Sequence, residues 1–238
     1  MISSSEIKFL KSLSHKKNRD ENLMFVVEGE KLVKEALASG FDVVKVLYGN
    51  DIGLAAMERI TLLTAPSPAY AVLKMKQDEK DFTVKPGSLY LMLDSVKDPG
   101  NFGSILRIAE WFGIEAIIAS KGCVELYNPK VVQASMGSIF RTKVYYCDPG
   151  PFLEHCKALT PIYGTYPHGP SIYSQKLEKG GIIVMGGESE GISPALEKMI
   201  TKKISVPPFT TGKGNHPESL NVAVAAALIC SEFRRPSV

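Results

Sequence analysis

The chain is short of the residues that would mark a metal centre, a disulfide scaffold or a membrane anchor. Its 238 residues include only four cysteines, four histidines and one tryptophan. Cys123, Cys147, Cys156 and Cys230 are widely spaced and form no Cys-x-x-Cys pair. That excludes a zinc knuckle and the crosslinked framework of a small secreted domain, and scattered free thiols suit a cytoplasmic protein. His15, His155, His168 and His216 form no i, i+4 pair and no His-Glu-x-x-His helix, so no metal is expected. No segment approaches the roughly 20 apolar residues of a membrane helix. The opening Met1–Glu6 stretch also lacks the basic-then-apolar pattern of a secretion signal. A soluble protein with no membrane partner is expected.

An excess of charge of one sign is equally scarce. Twenty-eight basic against 25 acidic residues leave a net charge of +3, too little by itself to indicate nucleic acid. Residues 1–84 hold 12 of each sign, so the whole excess lies in residues 85–238, with 16 basic and 13 acidic. The densest basic run, His15-Lys16-Lys17-Asn18-Arg19, sits in the neutral first part. Such a run is commonly a solvated loop; its other reading is a phosphate-contacting patch of Lys16, Lys17 and Arg19.

What the chain has is alternating α/β patterning in two parts. In residues 1–84 the periodicity predicts helices near Glu6–Leu13, Glu30–Ala38, Leu54–Arg59 and Pro68–Lys74, with strands at Met24–Val27, Val43–Tyr48 and Phe82–Val84. Lys85-Pro86-Gly87 then punctuates the chain and marks the expected boundary between a small α/β domain, 1–84, and a larger one, 85–238. From there, strand, loop and helix repeat. Strands are expected at Leu89–Leu93, Ala116–Ala119, Lys143–Tyr146, Ile162–Thr165, Ile182–Met185 and Lys203–Val206. Several are continuous apolar runs, the signature of a parallel sheet covered on both faces.

Within the helix expected at Ser104–Phe112, the residues Ile105, Ile108, Ala109 and Phe112 form one apolar stripe, which turns Arg107, Ser104 and Trp111 away from the core. The last helix, about Leu220–Phe233, is apolar around most of its circumference. That calls for more than one covering neighbour, a second subunit being one candidate.

Three blocks fall where ligands bind in such sheets, beyond the carboxyl ends of strands. They are Asp98-Pro99-Gly100-Asn101-Phe102-Gly103, then Gly186-Gly187-Glu188-Ser189-Glu190-Gly191, then Ser219-Leu220-Asn221-Val222. The glycine spacing fits neither the dinucleotide fingerprint nor the P-loop. Gly187-Glu188-Ser189-Glu190-Gly191 does match the Gly-x-Ser-x-Gly pattern of a serine hydrolase elbow. Yet acids flank Ser189 on both sides, where they oppose an oxyanion, and His216 is the only downstream histidine. Taken singly, the polar residues also have plain readings: Asn101 as a helix cap, Glu188 as a turn carboxylate, Arg107 as a solvated helix residue.

In order and content, the blocks resemble the SpoU (TrmH-like) family of RNA ribose 2′-O-methyltransferases, within the SPOUT superfamily. The resemblance rests on Asp94-Ser95-Val96-Lys97-Asp98-Pro99-Gly100-Asn101-Phe102-Gly103 with Arg107 and Gly113, on Ile183–Gly191, and on Ile204–Pro207 with Ser219-Leu220-Asn221-Val222. The first part, with Phe25-Val26-Val27-Glu28-Gly29 ahead of a helix, is similar to that family's substrate-binding domain. The resemblance implies a parallel-sheet methyltransferase domain with a C-terminal trefoil knot, a homodimer, S-adenosylmethionine as cofactor, no metal, and structured ribosomal or transfer RNA as substrate. Carried over by motif, the cofactor pocket would use Thr165, Gly187, Glu188, Gly191, Val206, Leu220 and Asn221. The catalytic candidates are Asn101, Arg107, Glu188, Ser219 and Asn221, with Arg107 also facing RNA. A chain of the same fold that binds RNA without chemistry is the rival reading. The chain departs from the family in a longer Pro207–Glu218 connection, from which Lys213 or His216 would reach RNA.

Overall fold

The computed structural model describes residues 2–76, 82–209 and 217–235. Two compact units emerge, and they are not a simple division at residue 84. The first comprises Met1–Gln77 together with Glu125–Arg141, and the second comprises Asp78–Val124 and Thr142–Val238.

In the first unit, β1 (Met24–Glu28), β2 (Val43–Tyr48) and β3 (Ala69–Lys74) form an antiparallel sheet in the order β1-β3-β2. The central strand corrects an expectation, because Pro68–Lys74 reads as a helix from sequence. Alanines at 69 and 71 suggest helix, but Ala69 through Leu73 are all buried and pair on both sides. Tertiary pairing overrides local propensity. One face packs Val26, Tyr70 and Val72 on Ile7, Leu10 and Leu13 from the first helix and on Met57 and Ile60. Glu125–Arg141 belongs to this unit through its aromatic residues. The Tyr127 ring lies 4.6 Å from Phe25, and Phe140 lies 5.4 Å from Phe41. Burial of such rings is worth about 1.5–3 kcal/mol each, enough to fix the segment against this sheet.

The basic run is also reassigned. Lys16–Asn22 is a helix, and Arg19 on it is only 1% exposed. Its Nη1 donates to the carbonyls of Leu13 (2.9 Å) and Ser14 (2.8 Å), and its Nη2 pairs with Glu125. Arg19 thus caps the C-terminal end of the helix Ser4–Ser12, where free carbonyls and the helix dipole favour a cation. It is withdrawn from the RNA-contacting set, while Lys16 and Lys17 stay exposed.

The second unit is a six-stranded parallel sheet of β4 (Leu89–Asp94), β5 (Ala116–Ser120), β6 (Val144–Cys147), β7 (Ile162–Thr165), β8 (Gly181–Gly186) and β9 (Lys202–Ile204). The order is β6-β5-β4-β8-β7-β9. All residues of β4 and β5 are buried, as the unbroken apolar runs predict for a sheet covered on both faces. The strand expected at Phe82–Val84 does not form; Phe82 instead stacks 4.3 Å from Tyr145. The chain runs outward from β4 through β5 to β6 and then returns on the other side, so strand order reverses between β4 and β8. That reversal opens a crevice at the carboxyl ends of these two strands.

Candidate functional site at the ends of β4 and β8

The site begins with the helix that follows β4. Asp98, at its N-cap, accepts the Asn101 N–H at 2.7 Å, and Pro99 occupies the first turn, where its missing N–H costs nothing. The helix therefore starts five residues before the expected Ser104. Asp98 takes the capping role and frees the Asn101 side chain for other partners. Phe102, Ile105, Leu106 and Ala109 are the buried stripe, one turn earlier than the expected one, and Arg107 remains on the exposed side. Trp111 shares that side and is 83% exposed.

Asn101 connects the other two blocks. Its Nδ2 donates to Glu188 Oε1 at 2.8 Å, and its Oδ1 accepts from Asn221 Nδ2 at 2.9 Å. Asn221 at the same time caps the last helix, Val222–Arg234, its Oδ1 accepting from the N–H groups of Ala223 (2.9 Å) and Val224 (3.3 Å). One chain of amides and a carboxylate thus joins residues 101, 188 and 221, drawn from all three motifs.

The loop after β8 is a narrow turn built on glycine. Gly191 has φ +66° and its N–H donates to the Gly187 carbonyl at 3.0 Å, closing the turn beneath Glu188, Ser189 and Glu190. A Cβ on Gly187 would lie 2.6 Å from the Ser95 carbonyl oxygen, so only glycine permits this approach. Ser95 itself has φ +60° and donates its N–H to Ser120 Oγ at 2.9 Å. Nearby Cys123 donates to the Leu93 carbonyl, and burial pushes its thiol up, against the opposing hydrogen bond with Ser120.

The remaining candidates divide. Thr165, at the end of β7, uses its hydroxyl on the Val184 carbonyl at 2.9 Å. Val206 is half-buried just past β9, and Ser219 and Leu220 are exposed immediately before Asn221. Arg107 joins none of these hydrogen bonds and has no polar partner among the described residues. It stands six residues, about 9 Å of helix rise, from Asn101. Lys213 and His216 lie outside the described residues. Among the described residues no cluster of His, Cys, Asp and Glu is arranged to hold a metal, and no helix is long and apolar enough to cross a membrane. A cavity of about 330 Å³ exists elsewhere, in the first unit, lined by Val26, Leu62, Leu63, Val132 and Met136.

One residue that motif reading passes over is Asp94 as a site residue, the last of β4. It is 5% exposed and accepts the Ser193 N–H at 2.8 Å. Its place at the end of an apolar strand and at the head of the first motif is the available signal.

A parallel sheet reversing between β4 and β8, with a glycine turn and an Asn–Glu–Asn chain at the reversal, defines a ligand-binding α/β enzyme domain. Residues 88–231 match the model of the SpoU rRNA methylase family, and residues 4–75 match an MRM3-like substrate binding domain. The chain belongs to the SpoU rRNA methylase family. It is 28% identical to the 23S rRNA (guanosine(2553)-2′-O)-methyltransferase RlmP of Bacillus subtilis, over 96% of both proteins. Among solved structures it resembles a putative RNA methyltransferase of the TrmH family from Porphyromonas gingivalis, 35% identical over the full length of both chains with a TM-score of 0.85. It also resembles an AdoMet-bound rRNA methyltransferase from Sinorhizobium meliloti, 25% identical over 99% of this chain and 97% of that one, with a TM-score of 0.83.

Proposed function

We propose that the protein transfers a methyl group from S-adenosylmethionine to a ribose 2′-hydroxyl of ribosomal RNA. The observation that carries the proposal is the hydrogen-bonded chain Asn221–Asn101–Glu188 at the strand-order reversal, beside the Gly187–Gly191 turn. Its members are two amides and a carboxylate, with no cation among them, a polar set that suits a positively charged sulfonium. S-adenosylmethionine, when bound, supplies an already activated methyl group.

The protein's own residues must then hold the sugar hydroxyl in line, exclude water and assist loss of its proton. Gly187, Gly191, Thr165, Val206, Leu220 and Asn221 form the cofactor side. Glu188 is committed to Asn101 Nδ2, which fits an orienting role better than that of a general base. Arg107, exposed and without a partner among the described residues, is free to clamp a backbone phosphate with its planar fork and to stabilise the developing alkoxide. A guanidinium does not serve as base, because its pKa exceeds about 12. A phosphate oxygen or water accepts the proton, with Ser219 at the mouth of the crevice.

A homodimer completes this reading. Val224 and Leu228, one turn apart on the last helix, are 49% and 39% exposed, Leu220 just before that helix is 48% exposed, and Trp111 is more exposed still. A second copy would cover this apolar stripe and bring its own surface beside Arg107. A C-terminal knot is in keeping with a last segment that returns from the β9 edge to hydrogen-bond Asn101.

Calorimetry with S-adenosylmethionine, followed by mapping of 2′-O-methyl positions in ribosomal RNA from cells with and without the gene, tests the proposal. Cofactor binding and one lost methyl mark are expected. RNA binding without cofactor binding would leave a non-catalytic module. Ser189→Ala should leave activity nearly intact, whereas an esterase would lose it.

A further inference from the structure

The glycine turn after β8 is anchored from below by a residue outside the hydrogen-bonded chain just described. Asp94 ends β4 in register with Gly186, the last residue of β8. Its carboxylate is buried and has two partners. Oδ2 accepts the backbone N–H of Ser193 at 2.8 Å, and Oδ1 accepts from Ser95 Oγ at 3.4 Å. Ser193 lies two residues beyond Gly191. The loop therefore leaves the sheet at Gly186 and is tied back to the neighbouring strand at Ser193, while Gly187 rests on the Ser95 carbonyl between the two. With both ends fixed, the turn has little freedom except at its exposed tip, Glu188–Glu190. Glu188 there meets Asn101.

We infer that Asp94 is a positioning residue that holds the Gly186–Gly191 loop, through the Ser193 N–H, in the form that receives S-adenosylmethionine. The inference rests on the proposed function, since it assigns a role within that same cofactor site. Charge-assisted hydrogen bonds to a buried carboxylate are among the stronger ones, and removing the Ser193 N–H leaves Asp94 without its shorter partner. A loop released at Ser193 must be ordered again whenever the cofactor binds, so affinity for the cofactor falls by the cost of that ordering.

Ser193 permits a clean test, because it has φ −62° and ψ 146°, values proline adopts readily. Ser193→Pro deletes the N–H and confines Ile192 to extended backbone; Ser193→Ala keeps the N–H. S-adenosylmethionine binding by calorimetry, RNA binding by gel shift and thermal melting are measured on the full chain. Ser193→Pro is expected to weaken cofactor binding roughly tenfold or more, with RNA affinity within about twofold of the original, and Ser193→Ala to leave cofactor affinity unchanged. A folded Ser193→Pro protein that binds the cofactor within twofold of the original overturns the inference. If Ser193→Pro does not fold, hydrogen exchange on the unmodified protein decides: a protected Ser193 amide in the absence of cofactor supports the inference, and one that exchanges like an open loop defeats it. Failure of the unmodified protein to bind S-adenosylmethionine would instead sink the proposed function, so the two failures are distinct.

Discussion

Two arginines, one in each unit, are put to opposite use. In the first, Arg19 comes from the densest basic run in the chain and is turned inward, onto Glu125 and the last carbonyls of a helix. In the second, Arg107 stands on a helix with no basic neighbours in sequence, is exposed, and has no polar partner among the described residues. Arg234 makes the same point from the structural side: it donates to the carbonyls of Phe112 (2.8 Å) and Gly113 (2.7 Å), just past the helix that carries Arg107. A guanidinium's five donors are satisfied by helix ends as readily as by phosphate. Local density of charge therefore says little about function, and an exposed arginine left without a partner, on the helix that also carries Asn101, says more.

The largest effect that would break this contrast is at Arg19. Arg19→Ala removes the buried partner of a part-buried pair and leaves Glu125, together with the Leu13 and Ser14 carbonyls, without that donor. A loss of about 3–5 kcal/mol of stability is expected, read by urea unfolding. RNA affinity of the folded protein should hardly change. If stability were unaffected and RNA binding collapsed, Arg19 would be a recognition residue after all. Burial also draws the Arg19 pKa down, with Asp20 opposing, a further sign that its environment is the protein's interior.

Arg107 should behave in the reverse manner. Arg107→Ala is expected to cost about 10²–10³ in turnover, the scale of losing one preorganised donor to a developing oxyanion. The melting temperature should stay near its original value, since no internal hydrogen bond is removed. Arg107→Lys sharpens the comparison, because it keeps charge and loses the planar fork. Near-normal turnover in that variant would refute bidentate clamping. Methyl-transfer rates on ribosomal RNA, measured beside thermal melts, decide both.

Much of the second unit can be read from the residues alone, for a physical reason. Parallel strands covered on both faces are written as unbroken apolar runs, so Leu89–Leu93, Ala116–Ala119 and Ile182–Met185 stand out without any partner being known. The antiparallel first unit gives weaker signals. β3 runs Ala-Tyr-Ala-Val-Leu and becomes a strand through pairing with β1 and β2, which lie elsewhere in the chain. The same limit governs the site. Motif order points to Asn101, Glu188 and Asn221, but that Asn101 bridges the other two depends on separations of 87 and 120 residues. Arg19 misleads in the sequence because its partner lies 106 residues away. Asp94 heads the first motif, but its role is hidden because it accepts from a backbone N–H, which no sequence records.

Buried carboxylates extend the comparison at smaller scale. Glu28, at the end of β1, accepts from Thr61 Oγ1 (2.6 Å) and Leu62 N–H (2.7 Å), as Asp94 does from Ser193 at the end of β4. The loop tied by Glu28 lies in the first unit, where Glu28 and Leu62 line the cavity of about 330 Å³ and no part of the Asn221–Asn101–Glu188 chain. Burial pushes the Glu28 carboxyl up, more than the hydrogen bonds from Thr61 and Leu62 pull it down. The folded state then holds a proton more tightly than the unfolded chain. Stability contributed by this group falls as pH rises from the ordinary glutamate range through the raised folded value, and is level beyond it. Glu28→Gln should abolish that slope, leaving the variant gaining on the original protein as pH increases. Urea melts of both from about pH 4 to pH 8 check it; parallel curves would show the carboxyl to be a neutral bystander.

The smallest expected effects belong to the two lysines that share Arg19's helix. Lys16 and Lys17 keep most of their side chains in solvent and pair only with Asp20 and Glu21, one turn on. Such exposed i, i+4 pairs are worth about 0.3–0.5 kcal/mol, too little to hold either lysine away from a phosphate. If the first unit binds RNA through this helix, each lysine replaced by alanine should weaken binding a few-fold and flatten the log-log salt dependence by about 0.7–0.9 for every phosphate no longer neutralised. The weakening should be the same for RNAs of different sequence, because a lysine on a phosphate carries no base information. Binding titrations of the double variant across a range of salt give both numbers. An unchanged salt slope would assign the whole of RNA recognition to other surfaces, and would leave the basic run with one buried structural arginine and no recognition role.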